Sequence, residues 1–268
     1  MQKAIVLHSD ILGFKKIIEN AEKDKEEETL KKLKEAIQES IQFINSLKSS
    51  EIKPLELNIN FKMFSDNLYA SFSYEENNLR SFSNALMLAI FFTRSYFTHM
   101  LYNKIPIRGG ISFGNDYYDD TIIFSIALVK AYTLETEKAI YPRVVIDSEL
   151  IEIIMKEIEL PSMMFLDILN NSILKDQENT YFINPNGLTV DFKNEFNGLE
   201  GVELDKIYIK KNIEFVEEEL KKIINQTEEN EKIVKKYEWL LDLLLWNFHD
   251  RKSKPFLNTF TPVRFKVI

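Results

Sequence analysis

The chain predicts an α+β fold: a ferredoxin-like palm, a βαββαβ core extended by one αβ unit, followed by a C-terminal helical extension. Three observations predict it. Strand-like and helix-like stretches alternate in the order β-α-β-β-α-β-α-β over the first 160 residues. The second and third strands are arms of one hairpin, Leu57 to Phe64 and Leu68 to Tyr74, around the turn residues Ser65-Asp66-Asn67. Two apolar runs, Ala4 to Phe14 and Phe61 to Phe72, each deliver one aspartate, Asp10 or Asp66, at or just beyond a strand end, where it serves no hydrophobic core.

Each element has a local reason. Ala4 to Leu7 is a β-branched apolar run suited to a central strand. Gly13 permits a close turn and Phe14 starts a helical stretch. From Lys16 to Leu47, apolar residues such as Leu30, Leu33, Ile37, Ile41 and Ile44 recur at three and four. They predict one amphipathic helix or a broken pair, with "EKDKEEE" as its solvated face. In the hairpin, Leu57, Ile59, Phe61 and Met63 alternate with Asn58, Asn60, Lys62 and Phe64. Asn78 to Tyr102 is apolar nearly all round and predicts a buried helix. "PIRGGISFG", Pro106 to Gly114, predicts a strand whose Gly109 and Gly110 let a neighbour approach closely. "NDYYDDT" reads as a polar loop, with a helix from about Ile122 to Lys138 after it. Val144 to Ile146 is the next strand, and Asp147-Ser148 caps a helix over Glu149 to Ile158. Further on, Thr180 to Ile183 predicts a strand, Asn184 to Lys206 irregular chain, and Ile213 to Ile224 and Glu231 to Phe248 two helices joined by "NQTEEN".

The 268 residues suggest a core domain over 1–160 and a C-terminal extension over 161–268. A net charge of −8 argues against a general nucleic-acid surface. Without cysteine there is no disulfide, thiol nucleophile or thiolate metal site, and His8, His99 and His249 are too scattered for a zinc cluster. The first residues do not read as a signal peptide. The run Ala85 to Phe92 falls short of the ~20 residues that span a bilayer, so a soluble, cytoplasmic protein is expected. If the first strand lies beside the hairpin, Asp10 and Asp66 converge at one rim. Paired carboxylates that leave positions open to water and phosphate suit Mg²⁺ and phosphoryl transfer. The plainer alternative makes them capping and turn aspartates.

Five ordered segments resemble the class III nucleotidyl cyclases. Asp10-Ile11-Leu12-Gly13-Phe14 matches that family's Asp-Ile/Val-x-Gly-Phe, and Lys62-Met63-Phe64-Ser65-Asp66 resembles its Lys/Glu-x-x-Gly-Asp, with Ser for Gly. Arg108 to Gly114 matches Arg-x-Gly-Ile-x-x-Gly, and Ala131 to Glu135 matches Ala-x-x-Leu-Glu. Pro142 to Ile146 matches the exit into an Ile/Val strand. The resemblance implies a palm of the class III cyclase type. It implies that Asp10 and Asp66 bind two Mg²⁺ or Mn²⁺ ions with the Ile11 carbonyl. It also implies that the backbone of Leu12, Gly13 and Phe14 holds a triphosphate, and that sites form between the subunits of a homodimer. Lys62 falls where the nucleobase is read, or is a solvated strand lysine. Arg108 contacts phosphate, or pairs with a carboxylate as a strand residue.

The family's ribose-orienting Asn and charge-stabilising Arg fall on Val129 and Thr133, which cannot do that chemistry, and Ile126 falls where a polar base-reading residue is expected. Lys130, Lys138 or Arg143 could supply the missing charge. Metal aspartates kept beside a remodelled base site, together with "KYEWLLDLLLWNF", resemble the pyrimidine cyclases of bacterial Pycsar antiphage defence. That resemblance implies UTP or CTP as substrate and cyclic UMP or cyclic CMP acting on a separate effector. Two alternatives stay open: an adenylate cyclase that uses Lys62 to read ATP, and a cyclase-like nucleotide sensor or dimerisation module without turnover.

Overall fold

The structure is a computed structural model that describes residues 1–15, 17–19, 26–49, 59–157, 163–186, 201–223, 228–248 and 260–265. In chain order the elements are β1 (Gln2–Ile11), α1 (Glu26–Ser49), β2 (Ile59–Phe64), β3 (Asn67–Tyr74), α2 (Leu79–Tyr102), β4 (Ile107–Tyr118), β5 (Ile123–Ser125), α3 (Ile126–Glu137), β6 (Val144–Ile146), α4 (Ser148–Glu157), α5 (Met163–Ser172), β7 (Ile173–Lys175), β8 (Tyr181–Ile183), α6 (Gly201–Lys222), α7 (Glu228–Phe248) and β9 (Thr261–Pro262). Residues 22–25 of the charge run, 57–58 of the hairpin, 187–200, 225–227 and His249 lie outside the described residues.

The strand order is β2-β3-β1-β4-β6-β8-β7-β9, with β5 on β4. β1 pairs antiparallel with both β3 and β4, and β2 pairs antiparallel with β3. This is the βαββαβ palm, and the parallel β4–β6 pair adds the expected αβ unit. Strands from both sides of residue 160 share the sheet, and residues from Ile5 to Phe265 share the main core.

β1 is buried on both faces. Ile5, Leu7 and Ile11 join the core with Leu86, Ile90 and Phe97 of α2, while Ala4 and Val6 pack with Tyr69 and Ala127 of α3 on the other side. Two covered faces explain the continuous apolar run that opens the chain. α2 starts at an Asn78 cap, whose side-chain oxygen accepts from Ser81 N–H at 3.0 Å. α3 can lie on β4 because Gly110 has no side chain. A Cβ there would stand against the Ala131 carbonyl oxygen, nearer than real Cβ contacts come, and 2.8 Å from Leu134 Cβ.

Several expectations are corrected. β1 runs on through His8, Ser9 and Asp10, because each of these has a Cα partner on both neighbouring strands. Asp10 is therefore a strand residue and does not follow the strand. The hairpin turn is the two-residue Ser65-Asp66, since Phe64 is already opposite Asn67. Asn115 to Tyr118 continue β4, and Ile123 to Ser125 form β5 instead of the first turn of a helix. Asp119 Oδ1 accepts from the N–H of Thr121 and Ile122 and turns the chain between them. Ser125 then caps α3, its Oγ accepting from Leu128 N–H at 3.0 Å. The C-terminal part contains α5, β7 and β9 besides the expected strand, and α6 begins at Gly201. Among the described residues no helix is long and apolar enough to cross a membrane.

His99, on the last turn of α2, sits with Nε2 3.2 Å from Glu39 and Nδ1 2.8 Å from the Ser95 carbonyl. Burial lowers its pKa below the usual histidine value, against the opposing pull of Glu39. A lowered folded-state pKa means that the unfolded chain binds the proton more readily. Stability from this group is complete above about pH 6.5 and is lost as pH falls through the folded-state value. Chemical denaturation across pH 7.5 to 5 should show that loss, and His99→Gln should flatten it.

Candidate active site

Asp10 and Asp66 meet at one rim because β1 and the β2–β3 turn are stitched together by backbone. Ile11 N–H donates to the Asp66 carbonyl at 3.1 Å, and Leu12 N–H donates to the Pro106 carbonyl at 3.0 Å. Ser65 takes a left-handed backbone, φ 55°, that closes the two-residue turn. Asp66 Oδ1 accepts from Asn67 Nδ2 at 2.9 Å, which aims the turn carboxylate. On the sheet, Asp10 lies opposite Asn67 on one side and Arg108 on the other.

Burial holds the Asp10 carboxyl above the usual carboxylate range. Arg108 pulls it down by hydrogen bond and charge, while Asp66 pushes it up by charge and a side-chain hydrogen bond. The Ile11–Asp66 backbone bond and the Asp10–Asn67 register place the two acids on neighbouring positions of the rim, and like-charged neighbours are relieved by a shared cation. Arg108 Nε donates to Asp10 Oδ2 at 3.1 Å and lies 2.7 Å from Glu135 Oε1 of α3, whose side chain is 2% exposed. Burial also raises the Glu135 pKa, with Arg108 opposing and Asp10 and Asp66 adding to the rise.

One rung along, Lys62, Tyr69, His8 and Gly110 lie across the same face of the sheet in successive pairs. Lys62 Nζ donates to the Asp120 carbonyl at 3.2 Å and stands 6.0 Å from the Tyr118 ring centre. His8 is buried, with Tyr132 edge-on at 5.4 Å. Gly13 has φ 75°, with nothing among the described residues within 4 Å of where a Cβ would be, and Phe14 opens a helical turn through Ile17 N–H to the Gly13 carbonyl, 3.1 Å. Of the three backbone groups assigned to phosphate, the Leu12 N–H is already bonded to Pro106. Arg108 is paired with the carboxylates of Asp10 and Glu135.

Val129, 65% exposed, and Thr133 lie on the outer side of α3, and the Thr133 hydroxyl donates to the Val129 carbonyl at 2.9 Å. Lys130 pairs with Glu149 at 3.0 Å, the buried Arg143 pairs with Asp176, and Lys138 is the C-cap of α3. Sequence reasoning missed Glu135 as a site residue, although the Leu134-Glu135 match marked it. On α7, burial lowers the pKa of Lys236, the charge of Arg108 adds to the fall and Asp10 opposes it. No sequence signal links positions 236 and 10.

The donor set fits a hard divalent cation. Two carboxylates can share one, leaving positions for water and phosphate oxygens. Among the described residues no three His, Cys, Asp or Glu side chains form a closed metal cage.

No protein-family model matches the chain, and no curated protein matches it. Solved structures to which the chain shows a distant similarity include two nucleotide cyclases. One is a guanylyl cyclase, Cya2, with 13% identity and a TM-score of 0.35, where 56% of this chain covers 77% of that one. The other is a bacterial light-regulated adenylyl cyclase, with 12% identity and a TM-score of 0.36, where 79% of this chain covers 57% of that one.

Proposed function

We propose that the chain is a nucleotidyl cyclase of the class III type, turning a nucleoside triphosphate into a 3′,5′-cyclic nucleotide and pyrophosphate. The observation that carries this reading is the convergence of Asp10 and Asp66 at one open rim beside Gly13. Asp10 and Asp66, with the Ile11 carbonyl, would hold two Mg²⁺ or Mn²⁺ ions, which would supply activation of the ribose 3′-hydroxyl and neutralisation of the leaving pyrophosphate. Gly13 and Phe14 lie against the triphosphate, and Lys62, on the same face as Asp10, meets the base. Because attack is intramolecular, the residues act mainly by holding the ribose oxygen in line with the α-phosphorus.

The substrate is UTP or CTP, and the product signals to a separate effector in antiphage defence. The sequence resemblance to pyrimidine cyclases and the absence of a purine-reading residue at Ile126 support this choice. A second reading, a nucleotide sensor without turnover, is favoured by the Thr133 hydroxyl being bonded within its own helix. Incubation with each of the four nucleoside triphosphates and Mn²⁺, with mass spectrometry of the products, decides. Cyclic UMP or cyclic CMP with equimolar pyrophosphate is expected. Cyclic AMP would move the assignment to an adenylate cyclase, and no product from any of the four would leave the sensor.

The active unit is a homodimer with its sites at the interface. Phe64, Ile122, Phe124, Ile126, Val129 and Tyr132 are all exposed around the hairpin tip, β5 and α3, an apolar patch of the kind that marks an interface. Val129→Glu should convert the dimer to monomer in sedimentation velocity, weakening association by about 2 kcal/mol or more. It should abolish turnover while leaving the far-UV spectrum unchanged.

A further inference from the structure

The environment of Arg108 contains a mismatch. Its Nε–H is aimed at Asp10 Oδ2, 3.1 Å away, although Glu135 Oε1 is nearer, at 2.7 Å. Glu135 Oε1 is buried and accepts no hydrogen bond among the described residues. A buried carboxylate oxygen without a donor is costly, and one beside a guanidinium is an unusual place to leave one. The same N–H cannot serve both oxygens well, and the geometry gives it to the more exposed carboxylate. The pair Arg108–Asp10 also opposes any cation at Asp10, since a guanidinium and a divalent ion compete for the same oxygen.

Resting on the metal-site reading above, we propose that Glu135 is the second seat of Arg108. When a divalent cation takes Asp10, the Nε–H turns from Asp10 Oδ2 to Glu135 Oε1, so that the guanidinium charge leaves the site and its hydrogen bond is kept. Only a small rotation is needed, because both acceptors already lie within 3.1 Å of the same nitrogen. Glu135 is thus a positioning residue for metal entry and touches neither metal nor nucleotide. α3 carries it there by docking on Gly110, one turn before Glu135.

The test is calorimetric titration of the full chain with Mn²⁺ alone, without nucleotide, alongside thermal melts. Wild type should bind Mn²⁺ and Asp66→Asn should lose it. Glu135→Gln should bind about tenfold more weakly, Glu135→Asp within about twofold of wild type, and Arg108→Met at least as tightly. In the Arg108→Met background, Glu135→Gln should have no further effect, because the residue acts through Arg108. The same tenfold loss in both backgrounds would overturn the proposal in favour of plain charge, and an unchanged affinity in folded Glu135→Gln would overturn it outright. Should Glu135→Gln fail to fold, a tenfold loss in Glu135→Asp would also overturn it, and retained affinity would support it. Wild type that binds no Mn²⁺ would instead remove the metal-site reading itself.

Discussion

Asp66→Ala should lower turnover by at least ~10³-fold while leaving the fold intact. The side chain sits in a two-residue turn, half-buried, and its carboxylate accepts from Asn67 Nδ2. The link that holds the turn to β1 is the Asp66 backbone carbonyl, which alanine keeps. Unfolding free energy should therefore change by less than about 1 kcal/mol. Removal of a negative neighbour also relieves Asp10, whose pKa Asp66 raises. Loss of turnover with an unchanged denaturation midpoint identifies the carboxylate as a site group. Full turnover in Asp66→Ala would remove the two-aspartate mechanism.

Gly110→Ala should have the largest effect on stability, about 3 kcal/mol or more in urea denaturation. The new methyl would overlap the Ala131 carbonyl, which belongs to the backbone of α3 and cannot rotate away. The helix would have to lift from β4, exposing Ala127 and disturbing the small cluster with Ala4, Val6 and Tyr69. The same displacement moves Glu135 away from Arg108, so metal affinity should fall together with stability. Wild-type stability in the Gly110→Ala variant would contradict the close packing of α3 on β4.

Much of this is legible in the sequence because the residues concerned act locally or through period-two alternation. The hairpin shows in Ser65-Asp66-Asn67 between alternating runs, and the buried helix in the all-round apolar stretch after Asn78. The close approach shows in Gly109-Gly110. The convergence of Asp10 and Asp66 follows from placing β1 beside the hairpin, and the register does so. β1 reads too short in the sequence because His8, Ser9 and Asp10 are polar. Their strand conformation comes from ladders on both sides, a tertiary effect. β5 is hidden by Ile122 to Phe124, an apolar run short enough to suit strand or helix. Only the Ser125 cap separates the two. The short strands β7 and β9 have three and two residues and exist by pairing with one another and with β8. The pairing of Arg108 with Glu135 depends on how α3 packs on the sheet, which no spacing rule encodes.

The most direct measurement is anomalous X-ray scattering from crystals grown with Mn²⁺ and a non-hydrolysable UTP analogue. The account predicts manganese density in contact with the carboxylates of both Asp10 and Asp66, with the analogue's phosphates completing the coordination. Manganese bound elsewhere, or the two carboxylates pointing apart with Arg108 still on Asp10, would contradict it.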